Sequence, residues 1–314
     1  MSWFRRRKPD PPATPPSVSP TTVKDFKTLT NIARAHLDAD IADRWLAMLK
    51  PAIRLVSAND AGSVVARLGG RPVIPAGFEW PVWEGSGPLS FIGEVDLDAL
   101  AGADLDPGIE LPPRGRLLAF YFDGSYNNFD SVVGTWARET LAGARLIHVT
   151  EPRTSGHPAA APEGVDEYGE QSFSGRQIVT HPGWEHHLLR AEFGAEDWDF
   201  QTWRAHPIQG KAFNEALFAL DEGDSPRHQI GGWADPAQGP VELEAAQAAI
   251  AEDIPFGSPT QIAEATAWHL LLQVDSDDDS QMMWGDVGSL YWLRRDSDLA
   301  VSELGQVSFT WQCG

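Results

Sequence analysis

The strongest constraint on how this chain folds is a succession of short apolar runs, each closed off by glycine or proline. Leu89–Leu97, Gly115–Phe122, Arg145–Val149, Gln177–Thr180, Trp268–Val274, Ser289–Leu293 and Val307–Trp311 have the length of strands. Ile53–Val56 adds another ahead of them, and 29 glycines and 24 prolines punctuate the series. Helical spacing dominates only near the start. Phe26, Leu29, Ile32, Ala33 and Leu37 recur every three or four residues, and Ile41, Trp45, Leu46 and Leu49 continue the stripe until Pro51 ends it. Two later helices are expected, at Phe213–Leu220 and Val241–Ala251, and the polar stretch 150–175 reads as a surface loop. Strands and helices do not alternate regularly. The expected fold is therefore α+β, a β-rich mixed or antiparallel sheet with N-terminal helices.

Two stretches run in parallel order, about 60–125 and 225–300. The first has Leu68-Gly69-Gly70, Pro75, the run FIGEVDL and then Gly115–Phe120. The second has Ile230-Gly231-Gly232, Pro236, LLLQVDS and then Gly288–Leu293, with the helical segment 241–251 inserted. Glycine pairs permit backbone angles closed to other residues, so the two pairs mark candidate equivalent turns of two related halves.

At 314 residues the chain is long enough to bury a core without disulfide or metal. A disordered basic and proline-rich leader is expected over 1–22, from Arg5–Lys8 and Pro9, Pro11, Pro12, Pro15, Pro16 and Pro20, followed by a single domain over 23–314. The leader lacks the apolar segment of a secretory signal, and no run approaches the ~20 apolar residues of a membrane span. The only cysteine, Cys313, excludes an internal disulfide. The 24 basic and 45 acidic side chains leave a net charge of −21, which argues against nucleic acid as a partner, since that affinity comes from Lys and Arg on phosphates.

The densest polar run is Asp275-Ser276-Asp277-Asp278-Asp279-Ser280, closing at Asp286. Asp275, Asp277, Asp279 and Asp286 match positions 1, 3, 5 and 12 of a calcium loop, which makes Ca²⁺ or another divalent cation the candidate cofactor. Ser280 stands where an EF-hand needs glycine, and strands rather than helices flank the run, so an EF-hand is rejected. The plainer reading has the aspartates binding turn amides. His181, His186 and His187 form no metalloprotease spacing, and adjacent histidines in a strand would face opposite sides. No nucleophile elbow or phosphate-binding glycine loop occurs. The 13 tryptophans include Trp80, Trp83 and Trp284, candidate ligand-binding faces for a sugar or a peptide.

The segments LGGRPVIPAGFEWP, PLSFIGEVDLDAL, GRLLAFYFD, HQIGGWADPAQ, LLLQVDSDDDSQMMWGDVGSLYWL and FTWQCG, spanning Leu68 to Gly314, together resemble the YwqG-like family, a bacterial domain family of unknown function. The resemblance implies a cytoplasmic α+β domain and supplies no reaction, cofactor or catalytic residue. The leading reading is a non-catalytic binding or interaction module, immunity-like toward a basic protein partner because opposite potentials speed encounter. The alternative is a divalent-metal-assisted hydrolase built on Asp275, Asp277, Asp279 and Asp286.

Overall fold

Asp25 starts the first helix, α1 (Phe26–His36), by accepting the Thr28 amide at 2.7 Å, and Leu29 and Ala33 form its buried stripe. α2 (Ala39–Leu46) buries Ala42 and Trp45. It stops three residues earlier than the stripe predicts, because Pro51 holds the residue before it extended and Lys50 already pairs as strand. The computed structural model describes residues 24–58, 63–123, 132–134, 138–221, 225–250, 254–296, 304 and 306–314; the leader expected over 1–22 lies outside the described residues.

Strands follow as β1 (Lys50–Ser57), β2 (Val64–Leu68), β3 (Val73–Ile74), β4 (Val82–Trp83), β5 (Gly87–Pro88) and β6 (Ser90–Asp96). After α3 (Leu97–Gly102) come β7 (Arg116–Tyr121), β8 (Ala144–Val149), β9 (His157–Pro158) and β10 (Gln171–Thr180). The helices α4 (His187–Glu192), α5 (Phe200–Arg204) and α6 (Lys211–Asp221) precede β11 (Gln229–Ile230). Next are α7 (Val241–Ala249), α8 (Pro259–Ala265), β12 (Trp268–Asp275), β13 (Ser289–Arg295) and β14 (Val307–Gln312). The expectation of a surface loop over 150–175 is corrected at both β9 and the first half of β10, where Phe173 turns into the core and the backbone pairs on both sides.

Among the described residues ten strands form one sheet in the order β14-β13-β12-β11-β1-β10-β2-β6-β7-β8, and every pair is antiparallel. The fold is thus α+β. The order is symmetric about the β1–β10 pair, and the likeness reaches single residues. Leu68 pairs with Gly93 as Ile230 pairs with Leu272, Asp96 with Arg116 as Asp275 with Ser289. Each hairpin has its register shift at the matching place, between Phe91 and Gly93 and between Leu270 and Leu272. Gly69 and Gly231 leave their strands at φ +66° and +67°, and their amides bond the carbonyls of Ile92 and Leu271.

The sheet bends until strands from its two ends touch: the rings of Tyr121 on β7 and Phe309 on β14 lie 5.2 Å apart. Inside this open barrel sits the largest apolar cluster, including Ile53, Val95, Leu117, Trp284 and Trp292. Three smaller clusters cover the outside. Helices α1, α2 and α4–α6 gather around Trp45 and Trp203, α7 and α8 cover Tyr291 and Leu293, and the segment around β3–β5 covers Leu118 and Phe120.

Candidate functional site

Where the helical cluster meets the centre of the sheet, a pocket of about 230 Å³ opens between α6, the turn 181–186 and the loop 232–240. Its shape depends on Gly232. The residue sits at φ +68°, and a Cβ there would lie 2.5 Å from Thr180 Oγ1 and 2.6 Å from Ala52 Cβ, so only glycine lets the loop cross β1 and β10 this closely. Thr180 Oγ1 accepts the Trp233 amide at 2.9 Å, and the Trp233 indole donates to Met48 O at 2.7 Å. These bonds fix the loop as a wall.

Charged side chains from remote segments line the pocket in matched pairs. Lys24 Nζ meets both oxygens of Asp221 at 2.7 and 3.0 Å, and Arg227 meets Asp235 at 2.7 Å. Arg54, 2% exposed in the middle of β1, donates from Nη1 to Arg227 O at 2.7 Å. His186 caps α4 by accepting the Leu188 amide on Nδ1, so its Nε2 carries the proton and donates to buried Glu242 at 3.2 Å. His181 donates from Nδ1 to Pro182 O at 3.1 Å, while its Nε2 is buried without a partner among the described residues. Burial first, and the charge of Lys24 second, push this imidazole down to about 4, so it stays neutral at pH 7. Trp184 and Phe218, 41% and 66% exposed, form an aromatic rim.

The adjacent histidines do not behave as residues of a strand. His186 and His187 open a helix, and their rings stack at 4.4 Å. Both His187 nitrogens are buried without partners among the described residues, and burial, then His186, push it down to about 4.

The acidic run lies elsewhere, at the turn between β12 and β13. Asp275 accepts from the Arg227 amide, Gln273 Nε2 and Ser289 Oγ at 2.7 to 2.9 Å. Asp277 accepts from fully buried His228 at 3.2 Å, from Ser280 Oγ and from the Asp279 amide. The His228 hydrogen bond, against the opposing pull of burial, holds the Asp277 carboxyl below its ordinary value. Asp279 and Asp286 are exposed. Among the described residues no three His, Cys, Asp or Glu side chains come together as a metal-holding group. Nor do the three singled-out tryptophans meet. Trp80 donates to Leu89 O and packs edge-on to Phe120, Trp83 packs on Phe122, and Trp284 is core between Tyr121 and Tyr168. Of the pocket's residues, His181 and His186 stand out in the sequence as side chains, and Gln229 to Ala237 only as part of the turn segment HQIGGWADPAQ. The others are single charges spread from Lys24 to Glu242, with no spacing to join them.

Fold and pocket define an α+β domain, an open antiparallel barrel with helices over its centre and a polar cleft beneath them. Residues 66–313 match the family described as a domain of unknown function, DUF1963, and the chain belongs to that family. No curated protein matches it. No helix among the described residues is long and apolar enough to cross a membrane.

Proposed function

We propose that the chain is a non-catalytic binding module whose ligand is a small, neutral, polar molecule with a flat face, of the sugar or nucleoside kind. The charge-matched wall carries this reading. Lys24 with Asp221 and Arg227 with Asp235 cancel in charge, and Arg54 stands against Glu242 and Glu185, which leaves hydrogen-bonding groups and little net charge around the cleft. Trp184 and Phe218 at the mouth supply surfaces on which a ring stacks. The narrower YwqG-like affiliation and the cytoplasmic location belong to the same proposal and rest on the quoted sequence segments.

Thermal melts with monosaccharides, nucleosides and neutral amino acids, one at a time, test it. A ligand at one hundred times its dissociation constant stabilises the native state by ~2.7 kcal/mol, a rise of a few degrees at this size. A monosaccharide or a nucleoside, and not the amino acids, should give that rise, and Trp184→Ala with Phe218→Ala, both on the surface, should abolish it without changing the melt of the free protein. A flat panel, or a rise that survives both substitutions, contradicts the proposal.

The net charge of −21 favours a second reading, an immunity-like complex with a basic protein. Such a complex should weaken steeply between about 50 and 500 mM salt as screening shortens the reach of charge, and one indifferent to salt counts against it. The hydrolase alternative has less support, because Asp275 and Asp277 hold their carboxylates in bonds to His228 and to turn groups.

A further inference from the structure

The sheet bends toward closure without joining its ends, so β8 and β14 face one another across a seam. A second cavity of about 410 Å³ lies in that seam and shares no lining residue with the polar pocket. Its size falls within the range of small-molecule sites. Leu146 of β8 and Phe309 of β14 form apolar walls, because alternate residues of both strands face the inner cluster. Trp292 of β13 stands in the same wall, fully buried, its ring 5.1 Å from Phe309. Among the described residues the indole N–H of Trp292 has no acceptor. A buried donor without a partner costs folding free energy that a ligand oxygen would recover.

The rim differs in character. Arg138 and Arg145 are both exposed there, and Arg145 is oriented by bonds from Nη1 to Leu141 O and Ala144 O at 2.9 and 3.0 Å. Glu139 is the one carboxylate among the described lining residues. In a chain of net charge −21, two arginines against one glutamate among the described lining residues is a local reversal, and guanidinium pairs suit a carboxylate.

We propose that the seam binds an oxygenated amphipathic carboxylate of the hydroxy-fatty-acid class. Its carboxylate meets Arg138 and Arg145, its chain lies between Leu146 and Phe309, and its distal oxygen accepts the Trp292 N–H.

Titration calorimetry with 10-hydroxydecanoate and decanoate tests this on the full chain, alongside Trp292→Phe and the double variant Arg138→Gln with Arg145→Gln. Wild type should bind the hydroxy acid one to one. Trp292→Phe should weaken the hydroxy acid about tenfold and leave decanoate unchanged, since only one hydrogen bond is removed. The double arginine variant, altered only on the surface, should weaken both acids about tenfold. The indole ¹H–¹⁵N signal missing from Trp292→Phe should move when wild type is titrated with the hydroxy acid. Absence of saturable binding, equal binding by all three proteins, or an unmoved Trp292 signal would overturn the proposal.

Discussion

At the scale of residues, what separates structural charge from surface charge is burial. Glu94, 1% exposed, takes Arg67 at 3.3 Å, Arg116 at 3.0 Å and Arg153. Glu94→Gln would leave three guanidiniums around a neutral amide and should cost about 3–5 kcal/mol in urea melts. Glu167, partnered by exposed Arg71, is the internal control: Glu167→Gln should cost less than about 1 kcal/mol. The buried histidines set the acid limit. His181 and His187 have folded values pushed to about 4 from an ordinary 6.5, so the unfolded chain takes up protons that the fold refuses. Their contribution is complete above pH 6.5 and is lost as pH falls toward 4. Urea melts at pH 7.5 and 4.5 should show His187→Leu losing on the order of 2 kcal/mol less than wild type across that interval. An equal loss in both proteins would remove His187 from the account.

At the scale of elements, the two hairpins β6–β7 and β12–β13 repeat one another in register and in the position of their irregularity. We propose that they descend from one duplicated unit, which makes their entry turns equally demanding. A Cβ on Gly69 would lie 2.1 Å from Gly169 O, and one on Gly231 would lie 1.8 Å from Pro107 O. Gly69→Ala and Gly231→Ala should each destabilise by at least ~1–3 kcal/mol, since positive φ and a backbone clash act together; a neutral result at either would break the equivalence. These elements were readable in the sequence because apolar runs ending at Gly-Gly or Val-Asp carry local signals. The helices α3, α4, α5 and α8 were not, at five to seven residues each. So short a stretch shows too little periodicity, and their caps at Asp96, His186, Asp199 and Ser258 take on meaning only once the chain's path is known. The acidic run was legible as polar, yet its role depends on His228, 49 residues upstream of Asp277.

At the scale of the molecule, the family match begins at residue 66, while β1, which precedes it, runs through the middle of the sheet. β1 pairs with β10 along eight residues and places Ile53 and Leu55 in the inner cluster. A chain cut to 66–314 should therefore lose cooperative unfolding, and a sharp calorimetric transition from that fragment would contradict the architecture. The same central strand carries Arg54 into the polar pocket, so fold and site depend on one element. The central claim is that this pocket takes the ligand. Hydrogen exchange on the full chain, with and without the sugar or nucleoside that gives the largest thermal shift, tests it most directly. Slowed exchange confined to 181–186, 211–221 and 232–240 is the predicted result. Protection centred on 138–146 and 304–309, or on the acidic turn 275–286, would contradict it.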